Sequence, residues 1–60
     1  MTKLVFADGH SEEVADYAIV GQTLWIINEQ RAVKVPLTRI DVPATQRANE
    51  DRGLDFVVPR

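Results

Sequence analysis

Over most of the chain the apolar positions alternate with period two, the spacing of strands whose successive side chains point to opposite faces. Leu4 and Phe6 share one face of a predicted strand over 3–7, with Lys3, Val5 and Ala7 on the other. Asp8-Gly9 follows as a turn, because Gly accepts the positive φ that a tight hairpin needs. A second strand is predicted over 14–20. Its alternation is imperfect: Val14, Asp16, Ala18 and Val20 fall on one side, Ala15, Tyr17 and Ile19 on the other. Asp16 within this run signals a bulge or a strand end beside it. Gly21-Gln22 makes the next turn. The strand predicted over 23–27 is apolar in both directions, with Leu24 and Ile26 on one face and Trp25 and Ile27 on the other. Such a strand requires cover on both sides. Asn28-Glu29-Gln30-Arg31 reads as a four-residue loop. A fourth strand over 32–35 turns Val33 and Val35 inward and Lys34 outward, and Pro36 ends ladder donation.

The pattern changes after Pro36. Asp41 has the chemistry of an N-cap, Pro43 suits a first helical turn, and Gly53 suits a left-handed stop, so a helix is predicted over 42–52. Its apolar content is slight: Val42, Ala44 and Ala48. Leu54, Phe56 and Val58 then resume the alternation, which predicts a tail strand over 54–58 or a strap. The whole is one domain over 1–60, mainly β (α+β): a small SH3-like antiparallel β-meander or partly open barrel of four to five strands with one short C-terminal helix.

The order Phe6-Ala7-Asp8-Gly9, Asp16-Tyr17, Leu24-Trp25, Val35-Pro36-Leu37-Thr38-Arg39-Ile40-Asp41, Ala44-Thr45-Gln46-Arg47-Ala48-Asn49 and Arg52-Gly53-Leu54-Asp55-Phe56 resembles an uncharacterised family of short bacterial β-rich modules. The first forty residues are similar in layout to small SH3-like bacterial lipoproteins. The resemblance implies the fold and an envelope or secreted setting, and it implies no activity. The chain departs from those lipoproteins in having no lipidation cysteine and in adding the helix and tail.

Composition narrows this further. Sixty residues, 45 % hydrophobic and 27 % charged, fit a small globular domain and not a disordered chain. A chain so short buries only about 60 % of the surface it exposes when unfolded, so its stability is marginal. The absence of cysteine excludes disulfides and thiolate zinc sites. No apolar run approaches the ~18 residues of a membrane span. The N-terminal apolar stretch is too short for a signal peptide because Asp8 interrupts it, which predicts either a cytosolic protein or one whose leader has been removed.

The net charge of −2 is unevenly placed. Residues 1–30 hold Lys3 against Asp8, Glu12, Glu13, Asp16 and Glu29, a net −4. Residues 31–60 hold Arg31, Lys34, Arg39, Arg47, Arg52 and Arg60 against Asp41, Glu50, Asp51 and Asp55, a net +2. Such a chain pairs its charges internally or head-to-tail with copies of itself.

Candidate chemistry is sparse. Asp8, His10, Glu12 and Glu13 are metal-ligand types, but a strand–turn–strand splays them, and an acidic solvated turn is the simpler reading. Ser11 beside His10 gives no nucleophile–base pair, since adjacent strand residues point apart. No catalytic, cofactor or metal residue is assigned, and no enzyme is expected. Arg31, Lys34 and Arg39 with Trp25 and Tyr17 form the set a nucleic-acid-binding barrel would use, and the acidity of the first half argues against it. Trp25 has two readings: packing beneath the helix against Ala44 or Ala48, or exposure with its neighbours. The surface singled out for interaction is Tyr17, Trp25, Ile27, Arg31 and Lys34. The expected function is a non-catalytic protein-interaction or structural module, self-associating or accessory to a larger assembly. A small-barrel nucleic-acid-binding protein is the alternative.

Overall fold

The computed structural model describes residues 1–58. Among these residues five strands form two antiparallel sheets, and one helix follows them. β1 (Thr2–Val5) pairs with β2 (Ser11–Val14), Thr2 opposite Val14 and Val5 opposite Ser11. β3 (Asp16–Val20), β4 (Thr23–Asn28) and β5 (Arg31–Pro36) form the second sheet with β4 in the middle. A 3-10 turn at Leu37–Arg39 leads to α1 (Val42–Glu50). The fold is thus the mainly β, α+β class expected, with no closed barrel among the described residues.

The strand predicted over 14–20 is divided, with a bend at Ala15. The cause is facial. Val14 is buried to 3 % exposure, while Tyr17 and Ile19 also pack on the core. In one unbroken strand Val14 would share a face with Asp16, Ala18 and Val20 instead. Breaking the strand at Ala15 lets both apolar sets turn inward, and the Asp16 carboxylate accepts from the Tyr17 N–H at the restart (2.9 Å). The polar residues Ser11, Glu12 and Glu13, placed ahead of the second strand by the sequence pattern, become β2 because they pair along β1. The connection after β4 is a two-residue turn, Glu29-Gln30, rather than four residues, since Asn28 and Arg31 already face each other across the ladder.

The core is Leu4, Phe6, Val14, Leu24, Ile26, Ile40 and Phe56. The tail 54–58 forms no strand. It is a strap: Phe56 is buried against Tyr17 (ring centroids 5.2 Å), and the Gln46 side chain donates to the Phe56 carbonyl at 3.3 Å. A side chain rather than a ladder holds its backbone, which is why strand alternation here did not produce a strand.

Asp41 caps α1 by accepting from the Ala44 N–H (3.2 Å), with Pro43 in the first turn. The helix ends at Glu50, two residues before the predicted stop, and a tighter turn carries the chain on to Gly53. Leu54 N–H donates to Asn49 O and Gly53 N–H to Glu50 O, a paired closure that needs the left-handed φ of +74° at Gly53.

α1 docks on β1 through polar atoms. Thr45 and Asn49 are both fully buried. Lys3 N–H donates to Asn49 Oδ1 and Asn49 Nδ2 donates back to Lys3 O, each at 2.9 Å. Val5 N–H donates to Thr45 Oγ1 at 3.0 Å. The Thr45 hydroxyl donates in turn to Asp41 O (2.8 Å), its other oxygen neighbour being Val5 O at 3.2 Å. The same edge continues in both directions: Asp41 N–H donates to Val5 O, Ala7 N–H to Arg39 O, and Arg52 Nη1 to Met1 O. Among the described residues no buried side-chain polar atom lacks a partner.

Asn49→Ala removes both bonds to Lys3 and leaves a buried strand edge unsatisfied, so it is expected to cost about 2–4 kcal/mol. Thr45→Val, nearly isosteric, is expected to cost about 1.5–3 kcal/mol, and Thr45→Ser less than 1. Urea denaturation followed by circular dichroism measures all three. Equal stability of Asn49→Ala and the parent chain would show that the polar contact is dispensable.

Candidate interaction surface

The three-stranded sheet has one face on the core and one turned away from it. Directly opposed residues of antiparallel strands share a face. The register therefore places Tyr17–Ile26–Val33 and Ile19–Leu24–Val35 on the core side. It places Asp16–Ile27–Ala32, Ala18–Trp25–Lys34 and Val20–Thr23–Pro36 on the outer side. Trp25 sits at the centre of that outer face. It is half-buried and lies outside the core cluster, and α1 docks on β1 instead. Packing of Trp25 beneath the helix is thereby corrected: Leu24 and Ile26 take the core side, and strand alternation sends Trp25 and Ile27 the other way.

Of the five residues singled out from the sequence, three come together. Trp25 and Ile27 lie two apart on β4, and Lys34, directly across from Trp25, holds its Nζ 5.4 Å from the indole centroid. This cation–π contact joins the charge to the ring on one surface. Tyr17 lies on the opposite face, tilted against Phe56. Burial pushes its phenol above the ordinary tyrosine pKa, with Asp16 and Asp55 adding to the shift. Arg31 stands at the hairpin end of β5, in the row of the core-side residues and exposed. Sequence reasoning passed over Val20, 66 % exposed at the other end of the outer face, and Ala18, Ala32 and Pro36 around Trp25. The register of 23–27 against its neighbours was the signal that joins them, and it requires correct turn lengths.

The acidic turn is organised differently. His10 Nδ1 contacts Asp8 Oδ1, the His10 N–H donates to the same oxygen at 3.0 Å, and the imidazole stacks on Phe6 with centroids 4.2 Å apart. The His10 backbone and ring together hold the Asp8 carboxyl below its ordinary pKa. Glu13 faces away toward Arg52, whose guanidinium binds it in a fork, with Nη2 to Oε2 at 2.7 Å. That hydrogen bonding lowers the Glu13 pKa and raises that of Arg52. Among the described residues no three His, Asp or Glu side chains gather at metal-binding distance. Among the described residues no helix is long and apolar enough to cross a membrane.

A hollow of about 420 Å³ opens beside β5. Phe6, Ala7, Asp8, His10, Lys34, Val35, Pro36, Thr38 and Arg39 line it. The chain matches no protein-family model, no curated protein and no solved structure.

Because the folded Glu13 pKa is depressed, its pair with Arg52 contributes fully above the ordinary glutamate pKa and is lost as pH falls through the folded value. In an NMR pH titration, Glu13 is expected to titrate below free glutamate and to move up in Arg52→Met, which removes the largest cause of the depression. An unchanged midpoint in that variant would remove Arg52 as the cause.

Proposed function

We propose that this chain is a non-catalytic interaction module that self-associates through the outer face of its three-stranded sheet. The observation that carries the reading is Trp25 at the middle of that face, with Ile27 and Val20 exposed beside it and the core on the other side of the strand. Three further arguments support it. A strand apolar in both directions gains stability from cover on its second side. A core below roughly 70–80 residues supplies only about 3–5 kcal/mol, and association is a common supplement. The face also complements itself. A two-fold axis parallel to the strands would stack Trp25 on its counterpart and bring Lys34 of each copy over Ala18 of the other, next to Asp16. Nucleic-acid binding has less support, because the chain is net acidic at −2.

The size of the face sets the strength. Three strands about 4.8 Å apart and five residues long offer a footprint of roughly 250 Å² before side-chain relief. Two copies bury less than the ~1,200 Å² of a standard stable interface, so the dimer is weak and concentration-dependent.

Sedimentation equilibrium is expected to show an apparent mass rising above 6.8 kDa as the concentration approaches about 1 mM. A constant monomer mass over that range defeats self-association. Trp25→Ala is expected to stay folded, to cost about 1–2 kcal/mol for a half-buried ring, and to abolish the concentration dependence. A loss of about 3–5 kcal/mol would instead place Trp25 in a closed core.

A further inference from the structure

We infer that the open edge of β5 and the hollow beside it take up an acidic, extended peptide segment as an added strand. The edge shares Ala32, Lys34 and Pro36 with the outer sheet face but engages their outward backbone groups, which face packing leaves unused, and the inference stands without the self-association reading.

β5 is the last strand of its sheet. Leu37 N–H donates to Gln22 O at 2.9 Å, which fixes the bonding parity of the β4–β5 ladder. Leu24–Val35 and Ile26–Val33 are then the hydrogen-bonded pairs, and Trp25–Lys34 and Ile27–Ala32 are the non-bonded ones. It follows that Ala32 and Lys34 turn both N–H and C=O away from β4, and Pro36 turns its carbonyl away. Among the described residues no backbone partner meets these groups. An extended segment lying antiparallel to β5 would satisfy them by strand addition.

Charge chooses the segment. From Arg31 to Arg39 the chain carries Arg31, Lys34 and Arg39 and no carboxylate. A second copy of β5 is disfavoured, because one register sets Lys34 opposite its own counterpart and the adjacent one gathers two Arg31 and two Lys34 along a short ladder. Lys34 and Pro36 on an edge are also the residues that discourage indiscriminate pairing. The edge thus repels its own kind while remaining open to an acidic strand. The hollow supplies the apolar part. Phe6 and Val35 are in its lining, as are Arg39 and His10. Asp8 is the carboxylate among the lining residues, and His10 holds it. The partner is therefore a strand with acids at alternate positions and a β-branched residue between them.

The test uses the full chain, ¹⁵N-labelled, titrated with the octapeptide Glu-Val-Glu-Val-Glu-Val-Glu-Val. Saturable binding with a dissociation constant at or below about 1 mM is expected, with the largest amide shifts at Ala32 and Lys34 and new exchange protection there. The same peptide N-methylated at alternate residues is expected to bind at least about tenfold more weakly, since it cannot complete the ladder. Lys34→Glu with Arg39→Glu is expected to lose at least about tenfold while circular dichroism stays unchanged. Should that double variant unfold, the Lys-Val octapeptide on the parent chain, expected not to bind, keeps the charge requirement testable. Absence of binding to the acidic peptide overturns the inference. So does equal affinity for the N-methylated peptide or for a single-stranded oligonucleotide, which would mark a merely cationic surface. New exchange protection of the Ala32 and Lys34 amides on concentration without peptide, which packing of the outer face does not produce, would place a second copy on this edge and overturn it as well.

Discussion

The outer edge of β1 is the constraint on which the rest of the molecule depends. Residues 1, 3, 5 and 7 turn backbone polar groups away from β2, and in a molecule this small such groups lie partly under the helix. An unpaired buried backbone group costs as much as a lost hydrogen bond. The C-terminal third of the chain satisfies this edge throughout: Arg39 and Asp41 through their backbones, then Thr45, Asn49 and Arg52 through their side chains. The substitution of helix for strand works because two repeats nearly match. Helix positions four apart are separated by about 6 Å along the axis. Strand positions two apart are separated by about 6.7 Å. Thr45 and Asn49 therefore meet Val5 and Lys3 in step, and fixing these contacts fixes the direction of α1.

That use of the edge decides the architecture. β1 gives its free side to the helix and to the segment that precedes it, so no strand of the second sheet can pair there and close a barrel. The two sheets instead meet through their side chains, and the bend at Ala15 lets Val14 serve one sheet while Tyr17 and Ile19 serve the other. The helix cannot also cover the outer face of β4. Trp25 is left to Lys34 and to whatever comes from outside the chain.

Charge follows the same division. Glu13 on β2 is tied to Arg52 beyond the helix, so part of the opposition between the two halves is satisfied within the fold. Glu12 remains exposed on the β1–β2 hairpin, and Arg31, Lys34 and Arg39 remain exposed along β5 and the turn after it. Exposed pairs of this kind add little stability, and they bear more on which partner approaches which edge than on whether the chain folds.

The sequence by itself determined the local elements: alternation at Leu4 and Phe6 and through 23–27, glycine at the turns, and Asp41, Pro43 and Gly53 around the helix. These are short-range steric and hydrogen-bonding preferences, and they were legible without coordinates. It also showed that Trp25 and Ile27 oppose Leu24 and Ile26, because period two demands it. Tertiary structure alone decided which of those faces is inside, since that depends on where the helix lies. Thr45 and Asn49 are polar residues on a weakly apolar helix, and no local pattern assigns them a partner. Their role exists only once β1, more than forty residues earlier, presents unpaired groups at matching intervals. The proposed interaction surface was half legible for the same reason: Trp25, Ile27 and Lys34 share a face through strand register, and the same register sets Tyr17 with Ile26 on the other face, where it meets Phe56, a contact that no local pattern encodes.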